Sequence, residues 1–289
     1  MRLCLLSACI LLLTPLSAQN CANKSVPVKA AKVLVHDVVF QNASAITPAE
    51  RNAIASAVRE NERSSPSQSL EELSAVAEEA SERLRAAYQN SGYFKVQVDE
   101  KLAPADTALL AQYDIVIRVM QQGPQYRMGD LHLVHAAQFS EPELRDLFPI
   151  QRGEIFSREK ITEGLENLRR LYGTHGFINS VSVPNTEFEE NDSVANLTID
   201  VDEGRQFRVR TIEVLGVDPE TKQHILENLD LKTGNIYDED AWERTLKLFH
   251  ATLQPAGDSN SVQKKLDEQN GWIDLLLDLR QTTPRPTQN

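Results

Sequence analysis

At 289 residues, with 41% hydrophobic and 25% charged side chains, the chain has the balance of a folded protein and the length for two average domains or three small ones. Its formal charge of −12 is the wrong sign for the phosphate contacts on which nucleic-acid binding depends, so nucleic acid is set aside as a partner.

Residues 1–18 hold one basic side chain, Arg2, then the apolar run Leu3 to Leu13 and the small-residue end Pro15-Leu-Ser-Ala18. That order predicts a secretory signal peptide cleaved after Ala18. Cys4 and Cys9 would leave with it, and Cys21 alone can form no internal disulfide. Ala18-Gln19-Asn20 is a poor match to a lipidation site, so Cys21 is read as part of a linker over 19–31, with lipidation at Cys21 as the alternative. No later stretch reaches the roughly 20 apolar residues of a transmembrane helix, and the mature chain is expected to have no transmembrane segment.

A strand is predicted over Lys32–Gln41, with its alternation broken near His36 and Asp37, where a bulge would fit. Thr47-Pro48-Ala49-Glu50 is a capping box that opens a helix to about Asn61, and Ser69 with Glu72 opens a second, to Tyr88. Phe94, Val96 and Val98 alternate with Lys95, Gln97 and Asp99, predicting a half-buried strand, and Ile115, Ile117 and Val119 predict another. The order is strand, helix, helix, strand, strand.

The same order follows in a strand at Tyr126–His135, a helix opened by Ser140 and Glu143, a helix at Ser157–Tyr172, and strands near Phe177–Val183 and Ala195–Val201. Asn185 to Asp192 is taken as an acidic loop between the last two. In the Phe177 strand, Ile178, Ser180 and Ser182 hold the parity that Phe94, Val96 and Val98 hold earlier, so either a bulge intervenes or the strand is apolar outward. A third unit aligns with the second at a constant offset of 81 residues: Gly123 with Gly204, Tyr126 with Phe207, Arg127 with Arg208, and Gly153-Glu-Ile-Phe-Ser157 with Gly234-Asn-Ile-Tyr-Asp238. Asn270-Gly271 signals a hairpin into Ile273, Leu275, Leu277 and Leu279, whereas Ser261–Leu266 is a weak strand and Leu253–Asp258 an irregular joint.

Two joints recur. Leu168, Tyr172, Gly176 and Phe177 stand where Leu84, Tyr88, Gly92 and Tyr93 stand, each an amphipathic helix ending at a glycine that can take positive φ. Tyr88 and Tyr172 are expected in the core, Tyr126 and Phe207 at unit junctions, and Gly123 and Gly204 at the unit ends. His175 has no counterpart at the earlier joint and is read as incidental.

Three β-α-α-β-β units, joined through glycine, any residue, glutamine, an aromatic and arginine, resemble POTRA (polypeptide-transport-associated) domains of the Omp85 outer-membrane assembly family. The match is carried by Asp202-Glu203-Gly204-Arg205-Gln206-Phe207-Arg208-Val209 and by the joint from Leu168 to Phe177. The resemblance implies an α+β fold of three tandem domains at 32–123, 124–204 and 205–281, each a small three-stranded mixed sheet with two helices on one face, followed by a polar tail at 282–289. It also implies a non-catalytic, periplasmic protein associated with the outer membrane, which binds unfolded outer-membrane proteins, an assembly barrel or that barrel's subunits by strand addition. A periplasmic scaffold docking one fixed partner of a secretion or division complex, and a relic of a longer assembly protein, stand as alternatives. Ten residues follow Leu279, too few for a membrane barrel, so a barrel-less protein is expected.

In that family the second strand of a unit often supplies the edge, which maps partner binding to Tyr93, Lys95, Gln97 and Asp99 and to Phe177, Ile178, Ser180 and Ser182. No nucleophile motif, phosphate loop or zinc-helix motif is present, so no catalytic residue or cofactor is assigned. His132 and His135 are too few and ill-spaced for a metal, and Glu187, Glu189, Glu190 and Asp192 lack the spacing of a calcium loop.

Overall fold

The computed structural model describes residues 33–105, 111–252 and 262–280. The signal peptide, Cys21, the joint at Leu253–Asp258 and the tail at 282–289 lie outside the described residues. Three three-stranded sheets follow one another along the chain. The first comprises β1 (Leu34–Gln41), α1 (Pro48–Ser64), α2 (Leu70–Asn90), β2 (Gln97–Pro104) and β3 (Gln112–Gln121). The second comprises β4 (Arg127–Val134), α3 (Glu141–Arg145), α4 (Arg158–Thr174), β5 (Val181–Glu189) and β6 (Val194–Asp202). The third comprises β7 (Arg208–Leu215), α5 (Pro219–Asn228), α6 (Glu239–Thr252), β8 (Val262–Asp267) and β9 (Trp272–Asp278).

Each sheet puts its last strand in the centre, parallel to the first strand and antiparallel to the second. The helix pair is the crossover that a parallel pairing demands. Helix starts follow the sequence: Thr47 and Glu50 close a reciprocal capping box on α1, and Ser69 and Ser157 accept amide hydrogens at the starts of α2 and α4. Leu73, Leu84 and Tyr88 from α2 and Ile115 and Ile117 from β3 are fully buried; in the second unit Leu168, Tyr172, Leu197 and Ile199 make the same core. Each first strand slips register at a bulge: between Val35 and Val38, Met128 and Leu131, and Val209 and Thr211. The first falls on the expected His36–Asp37 position.

Three expectations are corrected. The helix after Ser140 is a short one, Glu141–Arg145, and the Ser140 side chain makes no cap bond. The chain turns early because the Phe148 ring lies against Gly164 of α4, where an added Cβ would come within 2.1 Å of it. The acidic segment is mostly strand: Asn185–Glu189 belong to β5 and pair with Thr198–Val194 of β6, leaving only a turn at 190–193. Alternate side chains point to solvent, which reconciles the charges with a strand.

The strands that follow the joints also start later than expected, at Gln97 and Val181. Residues 93–96 and 177–180 are spent on a turn, closed by Val96 N–H to Tyr93 O at 3.3 Å and Ser180 N–H to Phe177 O at 3.1 Å. Tyr93, Lys95, Phe177, Ile178 and Ser180 are therefore not on edge strands; Gln97 and Asp99 on β2 and Ser182 on β5 are. The ladder of β5 with β6 runs without a bulge, so this strand is apolar outward, with Val181 and Val183 55% and 57% exposed.

Candidate functional site

Each joint is built on a glycine. Gly92, at φ +86°, lets Tyr93 turn back so that its amide donates to Tyr88 O at 2.9 Å, ending α2. The Gly92 carbonyl then accepts the Tyr126 amide at 2.9 Å, and Tyr126 O accepts the Phe156 amide at 3.0 Å. The second joint repeats this chain: Gly176 at φ +84°, Phe207 N–H to Gly176 O at 2.9 Å, Tyr237 N–H to Phe207 O at 3.0 Å. One backbone hydrogen bond thus crosses each joint, continued by a second within the following unit.

The linking motif supplies the remaining parts. Gln125 donates to Ser91 O at 2.8 Å and Gln206 to His175 O at 3.0 Å, satisfying a carbonyl left free where each helix ends. Arg127 donates to Gly153 O at 2.9 Å and Arg208 to Gly234 O at 3.3 Å, tying the Gly-x-Ile-aromatic segment to the first strand of its unit. Gly123 and Gly204 pack against Lys95 and Asn179, where an added Cβ would stand 3.1 and 3.5 Å away. The role of Ile155-Phe156 and Ile236-Tyr237 was not assigned from sequence, although the recurrence of glycine, isoleucine and an aromatic in Gly153–Ser157 and Gly234–Asp238 marked them. Ile155 and Ile236 rest on the joint glycines of the preceding unit.

Side chains fill the two joints differently. At the first, Phe94 lies 4.8 Å from Phe156 and 5.8 Å from Phe188, and Phe188 lies 4.6 Å from Tyr126, between ring centroids. Lys95 pairs with Glu190 and sits 5.9 Å from the centroids of Tyr126 and Phe188. Asn90 accepts the Glu159 amide at 2.9 Å, and Arg158 donates to Gln89 at 3.0 Å. At the second, Ile178 packs against the third unit, Asn179 reaches Glu268 at 3.4 Å, and Arg170 pairs with Asp240 at 2.8 Å.

Tyr88 and Tyr172 are both fully buried beside their joints. The Tyr172 hydroxyl donates to Glu203 at 2.8 Å, and the same carboxylate oxygen accepts the Ala137 and Gln138 amides at 2.7 and 2.9 Å. Burial pushes the Glu203 carboxyl up, but these hydrogen bonds outweigh it and hold it below its usual range. Burial, reinforced by the bond to Glu203, raises Tyr172. The Tyr88 hydroxyl has no hydrogen-bond partner among the described residues, the Ala45 amide beside it lying outside bonding geometry. The repeat offset explains the contrast, since the first-unit counterpart of Glu203 is Gln122.

The free edges complete the picture. Each sheet has two outer strands with one side outside the ladder, β1 and β2, β4 and β5, β7 and β8, and the second-strand edges are β2, β5 and β8. On β2 the outward positions are Gln97, Asp99 and Lys101; on β5 they begin with Val181 and Val183. Pro184 sits within β5, a residue tolerated on edge strands because it lacks an amide hydrogen. His135 bonds Asp200 at 2.7 Å, and His175 bonds Leu171 O at 2.8 Å against the Phe139 ring. Among the described residues no group of three His, Cys, Asp or Glu could hold a metal ion, and no helix is long and apolar enough to cross a membrane.

A family model, POTRA (surface antigen variable number repeat), matches residues 126–204. The crystal structure of POTRA domains 3–5 of Haemophilus influenzae BamA superposes on 87% of this chain and 96% of its own, with a TM-score of 0.58 and 16% identity. A Treponema pallidum (strain Nichols) protein named as an outer membrane protein assembly factor is 22% identical over 162 residues, which are 55% of this chain and 19% of that protein. The chain thus spans about a fifth of that relative's length. The middle unit matches the POTRA family model, and the chain has the fold of three POTRA domains in series.

Proposed function

We propose that this run of POTRA units is a non-catalytic periplasmic binder that holds extended polypeptide segments, in outer-membrane protein assembly or translocation, by adding them as a further strand to its sheets. The observation that carries this is β5: an unpaired edge strand with Val181 and Val183 exposed on its outward face. An edge of this kind presents amide and carbonyl groups that pair with an extended backbone of any sequence, and the valines add apolar contact without selecting a particular side chain. β2 is the secondary edge, its Gln97, Asp99 and Lys101 making it more polar. The relative's name and the BamA fold point to the same cellular setting.

Photo-crosslinkers at Ser182 and Gln97 in the native envelope test the proposal. Adducts with outer-membrane polypeptides, from Ser182 more than Gln97, are expected. A single stoichiometric adduct with one folded partner would favour a fixed scaffold instead, and absence of adducts at both positions would count against edge binding altogether.

A further inference from the structure

Which main-chain groups a free edge offers follows from the hydrogen bonds inside the sheet. Across the β4–β6 pairing the Arg127 amide donates to Ser193 O at 2.9 Å, so Ser193 and every second residue after it turn their main-chain groups to β4. Those residues, Ala195, Leu197, Ile199 and Val201, stand opposite Phe188, Thr186, Pro184 and Ser182. These residues of β5 therefore turn their own main-chain groups outward, to the free edge. Ser182, Thr186 and Phe188 each offer an amide hydrogen there, and Pro184, between the first two, offers none.

The other second-strand edges have no such break. On β2, Val98, Glu100 and Leu102 stand opposite Val119, Ile117 and Ile115. The Leu34 amide donates to Ala111 O at 2.9 Å, which turns the odd-numbered residues of β3 to β1 and the Val98, Glu100 and Leu102 amides outward. On β8, Val262, Lys264 and Leu266 hold the corresponding places. Pro104 is the last residue of β2 and interrupts nothing.

At Pro184 the ring Cδ stands where the amide hydrogen would be, so a strand laid along β5 meets carbon where one of its carbonyls needs a donor. It has to bow outward there and rejoin at Thr186. A flexible chain does this with a bulge. A strand already bonded within a sheet cannot bow without breaking its own ladder. We infer that Pro184 reserves the β5 edge for unfolded polypeptide and excludes the edge of a preformed sheet, that of a second copy of this chain included. The inference rests on the preceding proposal that β5 pairs with an extended segment.

The test uses the full chain, residue-resolved amide exchange and two probes: the linear peptide Thr-Val-Thr-Lys-Thr-Val-Thr-Lys-Thr, and the same strand fixed in a head-to-tail cyclised two-stranded hairpin. The linear peptide should slow exchange at Ser182 and Thr186 and at Val98 and Glu100. The hairpin should match it at Val98 and Glu100 but protect Ser182 and Thr186 about tenfold less, the loss expected for a buried carbonyl left without a donor. Pro184→Thr should let the hairpin protect Ser182 and Thr186; Pro184→Ala provides the same test if the first variant folds poorly. Equal protection of Ser182 and Thr186 by both probes on the native chain overturns the role of Pro184 and leaves strand addition standing. A hairpin still excluded from β5 in both variants overturns it as well, and no protection by either probe at either edge overturns strand addition and the role of Pro184 together.

Discussion

At the first joint four aromatic rings, the Lys95–Glu190 pair and the Asn90 cap on α4 hold the first and second units; at the second joint Ile178, Leu266 and Asn179 occupy the corresponding places and an ion pair from Arg170 to Asp240 bridges the helices. Both retain the same backbone hydrogen bonds through Gly92 and Gly176. The main-chain contact between successive units is therefore common to both joints, while the side chains that fill them differ. Burying rings costs little conformational entropy per unit of apolar area, whereas a surface ion pair contributes little once solvent screens it.

The shared frame should show the largest effect. An added Cβ would stand 2.8 Å from Tyr126 O at Gly92 and 2.7 Å from Phe207 O at Gly176, and both residues have positive φ. Gly92→Ala and Gly176→Ala should each cost about 3 kcal/mol locally, read as faster amide exchange at Tyr126 and Phe207. Unchanged exchange at either would break the equivalence of the joints.

Next comes the filling. Phe94→Ala should destabilise the coupling of the first two units by about 2 kcal/mol, and Ile178→Ala that of the second and third by about 1, both half-buried positions giving less than a full core truncation. Broader inter-unit orientations in residual dipolar couplings should accompany the first. Equal losses would mean that the rings do not distinguish the joints.

The buried tyrosines differ in the same direction. Tyr172→Phe should cost about 1.5 kcal/mol in thermal unfolding, because it deprives a charged acceptor of its donor, while Tyr88→Phe should change stability by less than about 0.5, since nothing is lost. Glu203 has a lowered folded pKa, so its stabilisation is present above the ordinary carboxylate value and lost as pH falls through the folded one. Acidification should weaken the second unit, and Glu203→Gln should remove that part of the pH dependence. An unaltered acid profile in the variant would show that Glu203 is not the group responsible.

Smallest is the ion pair. Lys95→Met should lower the melting temperature only slightly, and less at high salt, because Lys95 and Glu190 are both substantially exposed. Asn179→Lys, which offers Glu268 the partner that Glu190 already has, should raise it slightly; a destabilising result would show that the two joints are not equivalent at this position.

Much of the fold was legible in local pattern. Capping residues such as Thr47 and Ser69 act on amides within one turn, and alternation in Ile273–Leu279 reflects one buried sheet face, so both follow from nearby residues. The repeat made the joints visible, because the glycine, glutamine, aromatic and arginine recur at one spacing. Where β2 and β5 begin was not legible: Phe94 and Val96 alternate as a strand would, yet Phe94 belongs to the next unit's core and its residue range forms a turn. Alternation reports burial without saying against what. For the same reason the acidic run at Asn185–Glu189 was read as loop, when its charges are simply the outward half of a paired edge strand.

The sequence alone determined the starts of α1, α2 and α4, the bulge at His36–Asp37 and the threefold recurrence, all of which depend on residues close in the chain or on spacing. Tertiary structure decided what the recurrent residues touch: Gln125 and Gln206 on helix-end carbonyls, Ile155 and Ile236 on the preceding unit's glycines, and a ring cluster at one joint where the other has an ion pair between helices. Such contacts join residues tens of positions apart, and their energies depend on packing distance, to which no local pattern is sensitive.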